Sequence, residues 1–343
     1  MAERRGVAGT VLEELEIAKP EAGRLRGGAV PGRRGRKVAR GLSPQAAAAR
    51  AHELWRVAQG SRAAVLKKIA RGGAHTAREL GRQVDYLFSK SEGIFGNMVE
   101  HDPEARSLSP DERKALIADW SDGWAGAAKN GHTTHLLMSF PADVRPDTAR
   151  TIAELWAFEM FQSGDHQDEE WAYVAALHTD RAHPHVHIVL NNRGLMSGAW
   201  FFMARDHVFN FQMMKQRMVA IAAEQGVFLD ASSRLDRGIL TYGPSRAEIE
   251  RARAEGRAPV EKRREGPALE AALAEVAQSG ETLRFLARLA ALTGERALQA
   301  RIEAAVDTLR AGGILHPFSR LPLSGESDMT LPPRATGWCA PCP

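Results

Sequence analysis

The chain has 343 residues, 44% of them hydrophobic and 26% charged, with a formal net charge of +4. Those values fit a soluble chain able to bury one large core or two modest ones. They exclude a helical membrane protein, because no apolar run approaches about twenty residues. They also exclude a disulfide scaffold, because Cys339 and Cys342 are the only cysteines.

Glutamates interrupt the one apolar stretch of MAERRGVAGTVLEELEIAKPE, so the N-terminus does not read as a signal peptide. With so little cysteine, the expected setting is a reducing cytoplasm. Residues 1–60 carry 12 Lys/Arg against 6 Asp/Glu, whereas the remainder carries 34 against 36. Seven basic residues between Arg24 and Arg40 meet no acid and are punctuated by Gly and Pro. Residues 1–61 therefore read as a flexible basic arm, suited to nucleic acid and equally to a solvated leader.

Regular structure is expected from about residue 62. AVLKKIA reads as a strand, RGG as a turn, and Thr76 to Glu79 as a capping box opening a helix to about Phe88. Residues 91–109 read as loop and Pro110 to Ala128 as a helix capped by Ser109. THLLMSFP reads as a strand and Asp147 to Gln162 as an amphipathic helix. EWAYVAALH and HVHIVLNN read as a strand pair joined by TDRAHP, and a helix is expected from about Asp206 to Gln225. The whole predicts an α+β domain over 62–242, with a central antiparallel sheet and helices on one face. An Ala/Arg/Glu-rich helical region follows over 243–315, then a loose tail over 316–343. The CAPC spacing in that tail is half of a zinc or redox motif without a partner pair, and reads as tail.

The chemistry concentrates in HTDRAHPHVHIVLNNR, where four of twelve histidines fall within ten residues. Side chains alternate along a strand, so His185 and His187 project from one face while Val186, Ile188 and Leu190 enter the core. His178 ends the preceding strand and can lie across the ladder. Three imidazoles converging from paired strands are a facial ligand set with open positions, which metal catalysis needs. Asp180 and His183, in the turn, are candidates to orient the ligand rings. The chain also has three tyrosines. Tyr173 reads as sheet and Tyr242 carries no signal, whereas Tyr86 falls well away from the apolar stripe Ala77, Leu80, Val84, Leu87. Spacing leaves Tyr86 open to chemistry or to plain surface, with Lys90 one turn on able to steady a phosphate.

The segment HTDRAHPHVHIVLN resembles the third motif of conjugative relaxases of the histidine-hydrophobe-histidine (HUH) endonuclease group. The resemblance is greatest to the T-DNA border-nicking branch from the Agrobacterium virulence system. RGGAHTARELGRQVDYLFSK resembles that family's first motif, which implies Tyr86 as nucleophile. HTTHLLMSFPA resembles the second, which implies Ser139 beside the nick, and GVFLDASSRLDRG resembles the segment closing the domain. The match spans roughly residues 64–240 in order. Tyr86 precedes the histidine pair, as in relaxases and unlike replication initiators.

The resemblance implies nicking by tyrosine transesterification, with a divalent ion on His178, His185 and His187. It implies Mg²⁺ or Mn²⁺, whereas three imidazoles alone favour Mn²⁺ or Zn²⁺. Asp180 is then assigned to the catalytic set, chiefly by fixing a ligand ring. Partners implied are single-stranded or melted DNA, relaxosome accessory proteins and a type IV secretion coupling protein, in a bacterial cytoplasm with possible export alongside DNA. No membrane insertion is expected. Candidate DNA contacts are Ser139, Lys90, Arg181, Asn191 and Arg193, with Arg205, Trp200 and Phe201 held more lightly. Two features depart from the family: about sixty residues precede the first strand, and after Gly312 only Arg320 and Arg334 stand where arginine-rich export signals lie. Two other functions stay open, a metal hydrolase using water and a DNA-binding protein with a structural metal site.

Overall fold

The strand that carries His185 and His187 is the middle strand of a five-stranded sheet. The computed structural model describes residues 44–70, 72–99, 105–126 and 128–317. The basic stretch 24–40, the cysteines and Arg320 and Arg334 lie outside the described residues.

Described residues form two compact units, one of which is Arg62–Ala231. Its elements in chain order begin with β1 (Arg62–Ala63), β2 (Val65–Lys68), α2 (Ala77–Phe88) and β3 (Ser91–Gly96). They continue with α3 (Pro110–Asp122), β4 (Thr133–Ser139), α4 (Pro146–Phe161), β5 (Trp171–His178), β6 (His185–Gly194), α5 (Phe211–Glu224) and β7 (Leu229–Asp230); α1 precedes them at Pro44–Ala58. The main sheet runs β2-β4-β6-β5-β3 with every neighbouring pair antiparallel. β1 and β7 form a small parallel pair.

Strand alternation gives the sheet two different faces. Leu136, Met138, Tyr173, Ala175, Leu177, Val186, Ile188 and Leu190 turn to one, where Ile152, Trp156 and Phe161 of α4 and Met214, Met218 and Ile221 of α5 bury them. Trp156 keeps its indole N–H satisfied on the Met214 carbonyl at 2.9 Å. Ala172, Val174, Ala176 and Val189 turn to the other, beneath Leu80, Val84 and Leu87 of α2 and Leu116 and Trp120 of α3. Helices thus flank the sheet, and α2 and α3 also roof part of the face bearing the histidines.

Three local readings need correction. Residues 91–96, expected as loop, form the edge strand β3 paired with β5. Only Ile94 and Phe95 are apolar there, and the glycines that disguise the strand allow close approach: at Gly96, φ +155, a Cβ would meet the Tyr173 carbonyl. The helix expected to reach Ala128 stops at Asp122, where Gly123 caps it. The helix expected from Asp206 begins at Phe211, capped by Asn210.

The other unit comprises described residues 44–61 and 232–317. Helices α1, α6 (Arg246–Ala254), α7 (Gly266–Leu292) and α8 (Arg296–Arg310) lie in it. The arm reading therefore does not extend to residues 44–58. Ala51, Leu54, Trp55 and Ala58 recur at helical spacing in an Ala-rich segment and bury against Leu283, Leu286, Ile302 and Val306. Arg50 bridges Asp236 at 3.0 Å and Ser279 at 2.9 Å within the same unit.

Candidate metal centre and nucleophile

Helix α2 is set on the sheet by its own polar residues. Thr76 accepts from the Glu79 N–H at 3.2 Å, one half of the capping box expected, while the Glu79 carboxylate reaches past the cap to accept from the His75 N–H at 2.7 Å. One turn on, Gln83 donates to the Gly72 carbonyl at 2.6 Å and accepts from the Thr133 hydroxyl at 2.8 Å. Thr133 Oγ1 in turn accepts from the Ala74 N–H at 2.8 Å. The glycine turn is packed tightly: a methyl on Gly73 would overlap the carbonyl of Asn130. These contacts fix the start of α2 against the entry of β4.

Leu80, Val84, Leu87 and Phe88 are buried, and Tyr86 stays 48% exposed. It forgoes about half of the roughly 1.5–3 kcal/mol that full burial gives an aromatic side chain. Its ring faces the sheet histidines, with centroids 5.6 Å from His187 at 84° and 6.4 Å from His135 at 66°.

His178 and His185 are direct partners across the β5–β6 ladder. Ring centroids lie 5.4 Å apart for His178–His185, 4.9 Å for His178–His187 and 5.4 Å for His185–His187. All three are buried, and one nitrogen from each lies within 4.8 Å of the others, so the triad can hold a metal ion.

Hydrogen bonds behind the rings choose the nitrogens. Nε2 of His178 donates to the Leu87 carbonyl at 2.7 Å, which leaves Nδ1 with its lone pair. Nδ1 of His185 donates to the His183 carbonyl at 3.3 Å, leaving Nε2. Nδ1 of His187 is 2.9 Å from Nε2 of His135, and the buried Nε2 of His187 has no hydrogen-bond partner. An orphaned buried nitrogen on a ring 4.9 Å from that of His178 and 5.4 Å from that of His185 fits a ligand atom for a borderline-soft or hard divalent cation.

Burial, joined by the neighbouring imidazoles, pushes the pKa of His187 down to about 2. Burial first, then His178, pushes that of His135 down to about 4. Burial is also the largest cause lowering His185. Both His187 and His185 are thus neutral at pH 7, the form that binds metal.

The remaining sequence candidates are placed less uniformly. Asp180 receives Lys90 Nζ at 2.9 Å and lies 3.6 Å from Nε2 of His185. The Lys90 hydrogen bond is the largest cause holding its carboxyl below the ordinary range. Asp180 therefore flanks the free nitrogen of His185, while the His183 backbone carbonyl performs the orienting expected of these side chains. Ser139 pairs with His185 across β4–β6. Arg181 is exposed beside Asp180.

Asn191 and Arg193 lie further along β6. Four residues separate Asn191 from His187, about 13 Å at 3.3 Å per residue. Asn191 Oδ1 accepts from Trp124 Nε1 at 3.4 Å, and Arg193 donates to the Gly123 carbonyl at 2.6 Å. Arg205 is exposed and Trp200 is 42% exposed, but Phe201 is core, packed on Trp171 and Phe161. Its role as a DNA candidate is thereby overturned: the apolar half of the Trp-Phe pair turns inward.

His135 is the residue that sequence reading passed over. Parity along β4 carries its signal, since His135, Leu137 and Ser139 share one face.

Residues 98–227 match the family model described as relaxase, MobA/VirD2-like, nuclease domain. The matched segment contains all three triad histidines, His135 and Asp180, and begins twelve residues after Tyr86.

The chain is also 32% identical over 209 residues to a T-DNA border endonuclease VirD2 of Rhizobium radiobacter, covering 56% of this chain and 47% of that protein. It is 31% identical over 195 residues to a T-DNA border endonuclease VirD2 of Rhizobium rhizogenes, covering 53% and 44%. With that of Agrobacterium fabrum (strain C58 / ATCC 33970) it is 32% identical over 203 residues, covering 55% and 45%. The chain thus spans about half the length of these curated relatives.

Proposed function

We propose that this chain is a DNA relaxase: a divalent-cation-dependent endonuclease that nicks one strand at an origin-of-transfer or border-like site by tyrosine transesterification. The observation that carries the reading is the 5.6 Å approach of the Tyr86 ring to His187, which sets the half-exposed phenol at the histidine triad. The likeness to relatives named as T-DNA border endonucleases supports it.

His178 Nδ1, His185 Nε2 and His187 Nε2 are the atoms that would hold the cation, Mg²⁺ or Mn²⁺. When bound, it supplies positive charge for the non-bridging oxygens of a scissile phosphate. Tyr86 Oη attacks the phosphorus, forming a P–O(Tyr) bond as the P–O3′ bond breaks. The phenol gives up one proton and the departing 3′-oxygen takes one, so the products are a 5′-phosphotyrosyl adduct and a 3′-hydroxyl. The adduct keeps a phosphodiester, and attack on it by a 3′-hydroxyl rejoins a strand.

Asp180, held ionised by Lys90, stands beside His185 in the catalytic set. Ser139, Lys90 and Arg181 are assigned to the DNA. Asn191 and Arg193, engaged with Trp124 and Gly123, shape the strand's path further along β6. DNA reaches such a site single-stranded or melted. The same reading carries relaxosome accessory proteins, a type IV secretion coupling protein and a bacterial cytoplasmic site of action. Among the described residues no helix is long and apolar enough to cross a membrane.

Incubation with single-stranded oligonucleotides from neighbouring DNA, labelled on the 3′ side of the nick and with Mn²⁺ present, tests the reading on a denaturing gel. Label retained on the protein, and lost with chelator or in Tyr86→Phe, is expected. Cleavage without protein-bound label, unchanged in Tyr86→Phe, would leave a hydrolase that uses water. Binding of the whole panel with no cleavage under any divalent ion would leave a DNA-binding protein.

A further inference from the structure

Behind the triad, His135 and His187 form a buried imidazole pair with Nε2 and Nδ1 2.9 Å apart. They sit on adjacent strands in diagonal register, since His187 pairs with Leu137 and His135 with Val189. Both rings are buried. One nitrogen must donate and the other accept, so the pair has two tautomeric arrangements.

In the first, His187 carries its proton on Nδ1, donates it to His135, and presents a bare Nε2 to the triad. In the second, His135 donates and His187 carries its proton on Nε2. That proton would then occupy a buried atom that has no acceptor. A buried N–H without an acceptor is disfavoured, whereas a bare lone pair facing the triad is what a ligand needs.

We infer that His135 is a positioning residue that locks His187 into its Nδ1–H tautomer and thereby aims Nε2 as a ligand for a divalent cation. The inference rests on the metal-dependent reading above and names a residue that reading does not require. Each of the three ligand rings then has a distinct acceptor behind it: the Leu87 carbonyl for His178, the His183 carbonyl for His185, and an imidazole for His187. The imidazole acceptor is the one a side-chain substitution can remove. Backbone carbonyls survive mutation, so His135 is where ligand geometry can be tested without touching a ligand. The Tyr86 ring rests against both members of the pair, so the same lock also fixes the floor beneath the phenol.

The test compares the full chain as wild type, His135→Gln and His135→Leu, with His187→Gln made only for assignment. Glutamine carries an acceptor to about the place of Nε2, and leucine fills volume without one. Long-range ¹H–¹⁵N spectra of the chelator-treated proteins report the tautomer, with His187 assigned from the peak lost in His187→Gln. Calorimetric titration with Mn²⁺ reports affinity apart from any activity. Wild type is expected to show His187 protonated on Nδ1 alone. His135→Leu is expected to show mixed tautomers and Mn²⁺ affinity weaker by about tenfold to hundredfold. His135→Gln is expected to stay close to wild type in both.

An Nε2–H tautomer in wild type would overturn the inference whatever the variants do, including if His135→Leu fails to fold. Wild-type Mn²⁺ affinity in a folded His135→Leu would overturn it while leaving the metal reading intact. Equal weakening in His135→Gln and His135→Leu would overturn it in favour of simple packing. Absence of Mn²⁺ binding by wild type would overturn the metal reading and this inference together.

Discussion

Nε2 of His178 lies 2.7 Å from the carbonyl oxygen of Leu87, the residue that follows Tyr86. Leu87 stands in the last turn of α2, where carbonyls have no partner within the helix. A carbonyl can only accept, so this contact caps the helix and turns Nδ1 of His178 into the triad. The proposed nucleophile and one ligand ring are therefore fixed by one hydrogen bond.

His178→Ala should uncouple both. Mn²⁺ affinity is expected to fall, and amides from Phe88 to Lys90 to exchange faster with deuterium even without metal. Calorimetry and exchange mass spectrometry check the two effects; a folded variant with unchanged exchange would show that the contact does not hold the helix end.

Gly73→Ala tests the turn that precedes the tyrosine helix. The added methyl meets the carbonyls of Asn130 and Thr133, which are backbone atoms unable to swing aside. Overpacking of this kind should cost about 1–3 kcal/mol in urea denaturation. Tyr86→Phe keeps the ring that rests on His135 and His187 and removes only the hydroxyl of a half-exposed side chain, so it should leave the urea midpoint unchanged.

Acid should weaken the Arg62–Ala231 unit through Glu169. Desolvation disfavours its charge, but hydrogen bonds from the Ser197 hydroxyl and the N–H groups of Met196, Ala199 and Ser197 outweigh this and hold its pKa at about 2. The folded value lies below the ordinary 4.5, so the stabilisation is complete above about pH 5 and is lost as pH falls toward 2. Glu169→Gln should lose about 1–3 kcal/mol at pH 7. The gap from wild type should close near pH 2–3, as followed by urea titrations across pH.

Lys90 and Asp180 form an ion pair whose lysine side is largely exposed. Such pairs contribute about 0–1 kcal/mol, so Lys90→Ala should leave thermal stability nearly unchanged. Single-stranded DNA binding is the sensitive readout. If Lys90 meets a phosphate, the slope of log K against log salt should become shallower by about 0.7. An unchanged slope would confine Lys90 to holding Asp180.

The central strands β4, β5 and β6 and the triad were legible because alternation leaves few options. Once Val186, Ile188 and Leu190 point into the core, His185 and His187 must share the other face, and the short turn brings His178 opposite. Tyr86 was legible as an outlier from an apolar stripe, but its direction toward His187 was not, because a helical wheel does not say what lies over the open side. His135 was hidden for the converse reason. A single histidine on a strand gains meaning only from the adjacent strand, and register between distant segments is a tertiary fact. Helix α1 was hidden by composition: counting charge over residues 1–60 masked the stripe Ala51, Leu54, Trp55, Ala58. Phe201 was misassigned because its neighbour Trp200 is the exposed one.

The most direct measurement is peptide mass mapping after reaction with a single-stranded oligonucleotide carrying the nick site and Mn²⁺. Nuclease digestion before trypsin would leave a small phosphonucleotide on any modified residue. The expected result is that added mass on the peptide QVDYLFSK, residues 83–90, with fragment ions placing it on Tyr86. Nicked DNA alongside an unmodified peptide, or the mass on another residue, would contradict tyrosyl transfer by Tyr86.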